Sequence, residues 1–220
     1  MLALLIRREL HASLRNPQQL LQPVLFFTLT ICLFPLASGA DNDALARIAP
    51  AALWIALLLA ALLASEQLFA EDYADGTLSQ DCIHLAELWQ LLAAKLAAAW
   101  LRFTLPLLTV LPLLALMLHI PAVKLPALAA LLALGSLPLL LVGTLGAVLT
   151  LAQSHGTFLR FLIVVPLYIP VLIIGVTASH DSLLGLVING HYALLGAFDL
   201  FALLTIIPFG ALAIRAQALP

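Results

Sequence analysis

Apolar residues run along this chain in six long blocks, at about residues 20–37, 48–69, 91–118, 125–151, 161–178 and 191–214. Polar residues gather into short stretches between them. Each block is close to the ~20 residues that an α-helix needs to cross a bilayer's hydrocarbon layer. The pattern predicts an all-α polytopic membrane protein: one domain over residues 1–220, with about six transmembrane helices and little chain left over. Ahead of the first block, Leu2, Ile6, Leu10 and Leu14 fall on one helical face, and Arg7, Arg8, His11 and Arg15 on the other. Such a basic, apolar-backed helix lies in the membrane interface and favours anionic lipid. Residues 1–17 therefore read as an interfacial helix, ended at Asn16-Pro17.

Ser38-Gly39-Ala40 after the first block resembles a cleavage site, so a signal peptide is a competing reading. The long amphipathic helix before it and the spans after it weigh against cleavage. Residues 41–47 then form a short polar loop.

The second and third blocks are separated by the most polar stretch of the chain. Six of its eleven acidic residues lie within residues 66–87: Glu66, Glu71, Asp72, Asp75, Asp81 and Glu87. Asp75-Gly76 signals a turn, because glycine accepts positive φ and aspartate bonds its own backbone. Thr77 can then cap a new helix with Gln80 three residues on, as in a capping box. Residues 66–90 thus read as a water-exposed loop and amphipathic helix, suited to docking a soluble partner or simply solvated. Glu66 itself reads as an interfacial acid or as the partner of a basic residue on a neighbouring helix.

Within the other blocks, Pro106 and Pro112 imply kinks in the third span, and Pro166 and Pro170 a bend in the fifth. Arg102, with Lys95, reads as an anchor near the start of the third span or a charge on an internal pathway. Gly143 and Ala147 form a small-xxx-small pair that lets a helix come close. Residues 153–160 read as a return loop. Residues 183–188 are apolar but too few to cross, so residues 179–190 are expected to be a re-entrant or interfacial segment. Asp199, inside the sixth block, is an intramembrane carboxylate and a candidate functional group, with hydrogen-bonded packing as the other reading.

The composition agrees with this picture: 64% hydrophobic and 9% charged, against about 25% charged in soluble domains, with a mean hydropathy of +1.16. The net charge of −2 carries no nucleic-acid footprint. Seven of the nine basic residues fall on one side if the N-terminus is inside, namely Arg7, Arg8, Arg15, Lys95, Arg102, Arg160 and Arg215. Only Arg47 and Lys124 fall on the other. This asymmetry predicts both termini, and the acidic stretch, on the cytoplasmic side.

Cys32 and Cys82 are expected at different depths, without a disulfide or metal site. The chain has no G-x-x-x-x-G-K-[ST] phosphate loop, H-E-x-x-H zinc helix, G-x-S-x-G turn or C-x-x-C-H haem attachment site. It is expected to be no enzyme. His180 and His191 fall on the outer side and could ligate a haem iron, or be ordinary interfacial histidines.

Leu33-Phe34-Pro35-Leu36, Ala46-Arg47-Ile48-Ala49-Pro50 with Trp54, and Glu66-x-x-Phe69 leading to Asp75-Gly76-Thr77-Leu78-x-Gln80 together resemble the haem exporter protein B family over nearly the whole chain. Pro166 to Pro170 fits as well. The pattern departs at Ser79, where the family usually has Glu, and in the run after Gln80. The resemblance implies a six-span permease of the ABC-2, type V exporter-like class, working in the bacterial inner membrane as a homodimer with a separate cytoplasmic ATPase subunit. It further implies a haem-handling membrane protein, a small single-span subunit and a periplasmic haem chaperone as partners, with haem as cargo and ATP acting through the partner. Glu66, Phe69, Glu71, Asp72, Asp75, Gly76, Thr77, Leu78 and Gln80 would then form the ATPase-coupling element. A membrane scaffold for the ATPase and the haem-handling partner, or a proton-coupled carrier using Asp199, are the alternatives.

Overall fold

In hydrocarbon every backbone amide and carbonyl must find its partner within the chain, and this chain satisfies them with helices. The computed structural model describes residues 6, 7, 9, 17–38, 42–74, 88–150 and 156–218. Among them are six long helices and no strand: α1 (Pro17–Ser38), α2 (Asn42–Ala74), α3 (Leu88–Met117), α4 (Leu125–Leu149), α5 (Gly156–Leu184) and α6 (Asn189–Ala218). A single 3₁₀ turn, Ala122–Lys124, leads into α4. Five of the helices are long and apolar enough to cross a membrane, and α1 contributes the shorter apolar stretch Leu21–Ala37. The predicted all-α polytopic membrane fold is therefore what forms.

α4 is the centre. It packs against α2, α3, α5 and α6, while α1 lies outside on α2 and α3. Each peripheral helix shows why. On α6 the buried residues Leu195, Asp199, Ala202, Ile206 and Ile214 recur at helical spacing. On α1, Phe27 and Ile31 are buried while Leu21, Leu25, Leu29, Leu33 and Leu36 face outward. An outward leucine stripe suits a lipid-facing helix, since lipid tails are as apolar as the core.

The tightest packing surrounds Trp54 of α2, which has no exposed surface. Its indole lies between Gly135 of α4 and Gly175 of α5, and a Cβ at either glycine would collide with the ring. The indole Nε1 donates to Ser179 Oγ at 2.8 Å, which satisfies the one polar atom of the ring. Between α3 and α4 a second polar contact forms where Trp100 Nε1 donates to Ser136 Oγ at 3.0 Å and Thr104 Oγ1 meets the same hydroxyl at 2.9 Å.

Three expectations change. α2 begins at Asn42 and continues to Ala74, so residues 42–47 and 66–74 are helix rather than loop. A helix that leaves the bilayer keeps its backbone bonds without needing apolar side chains, and hydropathy loses sight of it. α5 runs unbroken to Leu184, so residues 179–190 are the end of one span, a short turn and the start of the next. Nothing re-entrant forms, because the apolar residues from Leu183 complete the helix and its cap. Arg160, expected in a loop, lies inside α5 and is 5% exposed. Of the expected interfacial helix, Ile6, Arg7 and Glu9 are helical; the rest lies outside the described residues, as does the helix expected after Thr77.

Candidate functional site

Two clusters of charged side chains lie toward the two ends of the bundle. At one end, where α2, α4 and α6 finish and α3 and α5 begin, Arg160 and Lys95 are buried. Arg160 comes off α5 on the same face as Val164 and Tyr168, both fully buried. Its Nη2 donates to the carbonyl of Leu62 on α2 at 2.8 Å, and its Nη1 stands 3.6 Å from Glu66 Oε1. Leu62 O also accepts the Ser65 hydroxyl at 2.8 Å. Two glycines of α4 make the approach possible. A Cβ at Gly143 would sit 2.5 Å from Ser65 Oγ and 2.6 Å from the Tyr168 hydroxyl, and one at Gly146 would meet Val164 and Arg160. Gly143, one of the small-xxx-small pair read from the sequence, is at this contact, and Gly146 is beside it.

At the same end Glu9 reaches Lys95 of α3 at 3.1 Å, with side chains 13% and 7% exposed. Arg102, one further stretch along α3, donates its Nε to Ala98 O at 3.2 Å. Lys95 and Arg102 are thus both partnered cations.

The other end is closed by tight turns. At the end of α5, Gly185 takes φ +82, and the amides of Leu186 and Gly185 donate to Asp181 O and Ser182 O. That is a Schellman closure, and glycine is suited to its left-handed position. Asp181 then faces two imidazoles, His180 Nδ1 at 3.8 Å and His191 Nε2 at 3.7 Å, all three side chains partly exposed. The structure therefore brings the two predicted histidines together, around a carboxylate that bridges α5 and α6. Among the described residues no group of three or more His, Cys, Asp or Glu is arranged to hold a metal ion.

Between the ends, Asp199 is 6% exposed and its Oδ1 is buried without a hydrogen-bond partner. It stands about 15 Å along α6 from the helix start, away from both clusters. Of the predicted coupling residues, Glu66 is ion-paired, and Phe69, 1% exposed, anchors α2 in the core. Glu71 and Asp72 belong to α2. Asp75, Gly76, Thr77, Leu78 and Gln80 lie outside the described residues.

Sequence reasoning missed Arg160, Glu9 and Asp181 as partners. The spacing of Arg160, Val164 and Tyr168 was the available signal, since residues four apart share a helix face. Nothing comparable marks Glu9 and Lys95, whose contact joins distant parts of the chain.

An all-α membrane protein with a glycine-cradled core, a buried arginine staple at one end and sealed turns at the other is a polytopic integral membrane protein. The family model described as CcmB protein matches residues 1–217. Heme exporter protein B of Pseudomonas aeruginosa is 42% identical over 94% of this chain and 92% of its own length. The proteins of that name from Haemophilus influenzae and Escherichia coli K12 are 40% and 37% identical, covering 93% and 95% of this chain and 92% and 94% of theirs. The chain belongs to the CcmB family.

Proposed function

We infer that this chain is the membrane subunit of an ABC-type complex for haem export in cytochrome c maturation, coupled to ATP hydrolysis by a separate cytoplasmic ATPase. Its product is haem delivery or release of a haem-loaded periplasmic chaperone. It works as a homodimer in the bacterial inner membrane with both termini cytoplasmic, beside a haem-handling membrane protein and a small single-span subunit. ATP acts through the partner, and haem is cargo.

The observation that carries this reading is α2. One 33-residue helix, about 50 Å long, links the Trp54 core to the acidic residues Glu71 and Asp72 in a chain whose residues 1–217 match the CcmB model. A helix of that length exceeds the ~30 Å hydrocarbon layer, so its acidic end reaches water where a soluble ATPase can dock. Glu66, Phe69, Glu71 and Asp72, with Asp75, Gly76, Thr77, Leu78 and Gln80 after them, form the coupling element. His180 and His191 are the residues that would meet haem iron on the outer side, with Asp181 orienting an imidazole as carboxylates orient metal-bound histidines.

The test is charge reversal, Asp72→Lys with Asp75→Lys, followed by affinity purification. Loss of the ATPase subunit with intact membrane insertion is expected, and normal co-purification would sink the coupling assignment. The unpartnered Oδ1 of Asp199 favours a second reading, a carrier driven by protons. Under that reading Asp199→Asn abolishes transport in vesicles without ATP, whereas the ATPase-coupled subunit shows no such transport to lose.

A further inference from the structure

Near one end of the bundle Arg160 ties α5 to α2, and its fastening is uneven. The tip of Arg160 is held by Leu62 O and Glu66, while its buried Nε meets no partner among the described residues. Buried polar groups are nearly always bonded, so unpaired ones mark an arrangement that other conformations could satisfy better. Beyond Arg160, α5 carries Pro166 and Pro170. Each lacks an amide donor and crowds the preceding turn, which makes this the place where the helix bends most easily. Past the prolines α5 is held again, at Gly175 against the Trp54 ring and at Ser179 by its hydrogen bond.

α5 is therefore gripped twice by α2, above and below its own weak point. The upper grip is a rigid ring in a glycine cradle; the lower is a flexible guanidinium at the root of the α2 extension. We propose that Arg160 is a positioning residue that makes the first turns of α5 swing about Pro166 and Pro170 when the far end of α2 is moved. This rests on the reading that an ATPase moves that end of α2. Arginine suits the task because its fork engages a carbonyl and a carboxylate together, whereas a lysine ammonium is one compact point of charge.

The experiment uses the full chain assembled with its ATPase, with Cys32→Ser and Cys82→Ser to remove native thiols. Spin labels are placed as two pairs, Ala74→Cys with Leu212→Cys, and Leu162→Cys with Leu212→Cys. Positions 162 and 212 both face outward, at 63% and 62% exposure. Pulsed electron resonance reads each distance with and without a non-hydrolysable ATP analogue. With Arg160 present, both distances shift. In Arg160→Gln the 74–212 shift persists and the 162–212 shift is lost, a split that a general loosening of the fold would not produce. Arg160→Lys shortens the 162–212 shift, and carries the test should the glutamine variant fail to fold. A 162–212 shift unchanged in either variant overturns the role of Arg160. Absence of any 74–212 shift with Arg160 present instead overturns the ATPase reading beneath it.

Discussion

The two ends of the bundle are closed by different chemistry. At the turn end the closure is local and made by backbone. His119 (φ 55) and Gly185 (φ 82) both occupy left-handed positions, and each is followed by an amide that reaches back into the helix it ends, Ile120 to Ala115 and Leu186 to Asp181. The side chains there, His180, Asp181 and His191, are partly exposed. At the opposite end the described residues are joined by side chains across long stretches of sequence, Arg160 to Leu62 and Glu66, and Lys95 to Glu9. Short turns cost little to close, while long-range contacts must first bring distant segments together. A turn of this kind changes only by unwinding its helix. A side-chain fork can let go and take hold again, which makes the second end the one able to respond to a partner.

Substitutions can break this contrast in order of size. Trp54→Ala removes the ring that supports both ends and is expected to cost about 3–5 kcal/mol, read as thermal unfolding in micelles. Glu9→Ala strips a buried cation of its carboxylate and is expected to cost about 3 kcal/mol; a loss as small as that of a surface pair would mean that this end is not held by charge. Gly143→Ala pushes a methyl group into Ser65 and the Tyr168 hydroxyl, for about 1–3 kcal/mol. At the turn end, Asp181→Asn is expected to cost under about 1 kcal/mol, since partly exposed ion pairs contribute little. His119→Gly relieves a left-handed side chain and is expected to raise stability slightly, by at most about 1 kcal/mol. If Asp181→Asn proved more damaging than Glu9→Ala, the contrast between an end closed by backbone and an end held by side chains would fail.

Much of the architecture was legible because lipid imposes a simple rule. Apolar blocks of span length become helices, and all six formed within a few residues of their expected bounds at most ends. The exceptions share one cause. Residues 70–74 continue α2 although two of them are acidic, Arg160 enters α5 although it is charged, and residues 179–184 continue α5 beyond the apolar block. Hydropathy reports preference for lipid, whereas helix continuity depends on backbone bonds and on partners that satisfy a charge. Glu66 was legible as a residue seeking a cation; which cation was not, because that depends on how α2 and α5 pack across Gly143 and Gly146. Asp181 gave no signal at all, since its role comes from a turn that places His191 beside it.

The cradle around Trp54 ties three positions on three helices into one heritable unit. A larger residue at 135 or 175 has no room while the indole is there, and a smaller residue at 54 leaves a void between two glycines and strands the Ser179 hydroxyl. No single-step path of substitution leads out of this arrangement without passing through a poorly packed intermediate. Descendants of this chain are therefore expected to keep all three residues or to exchange them together, with Ser179 drifting freely only after the tryptophan has gone.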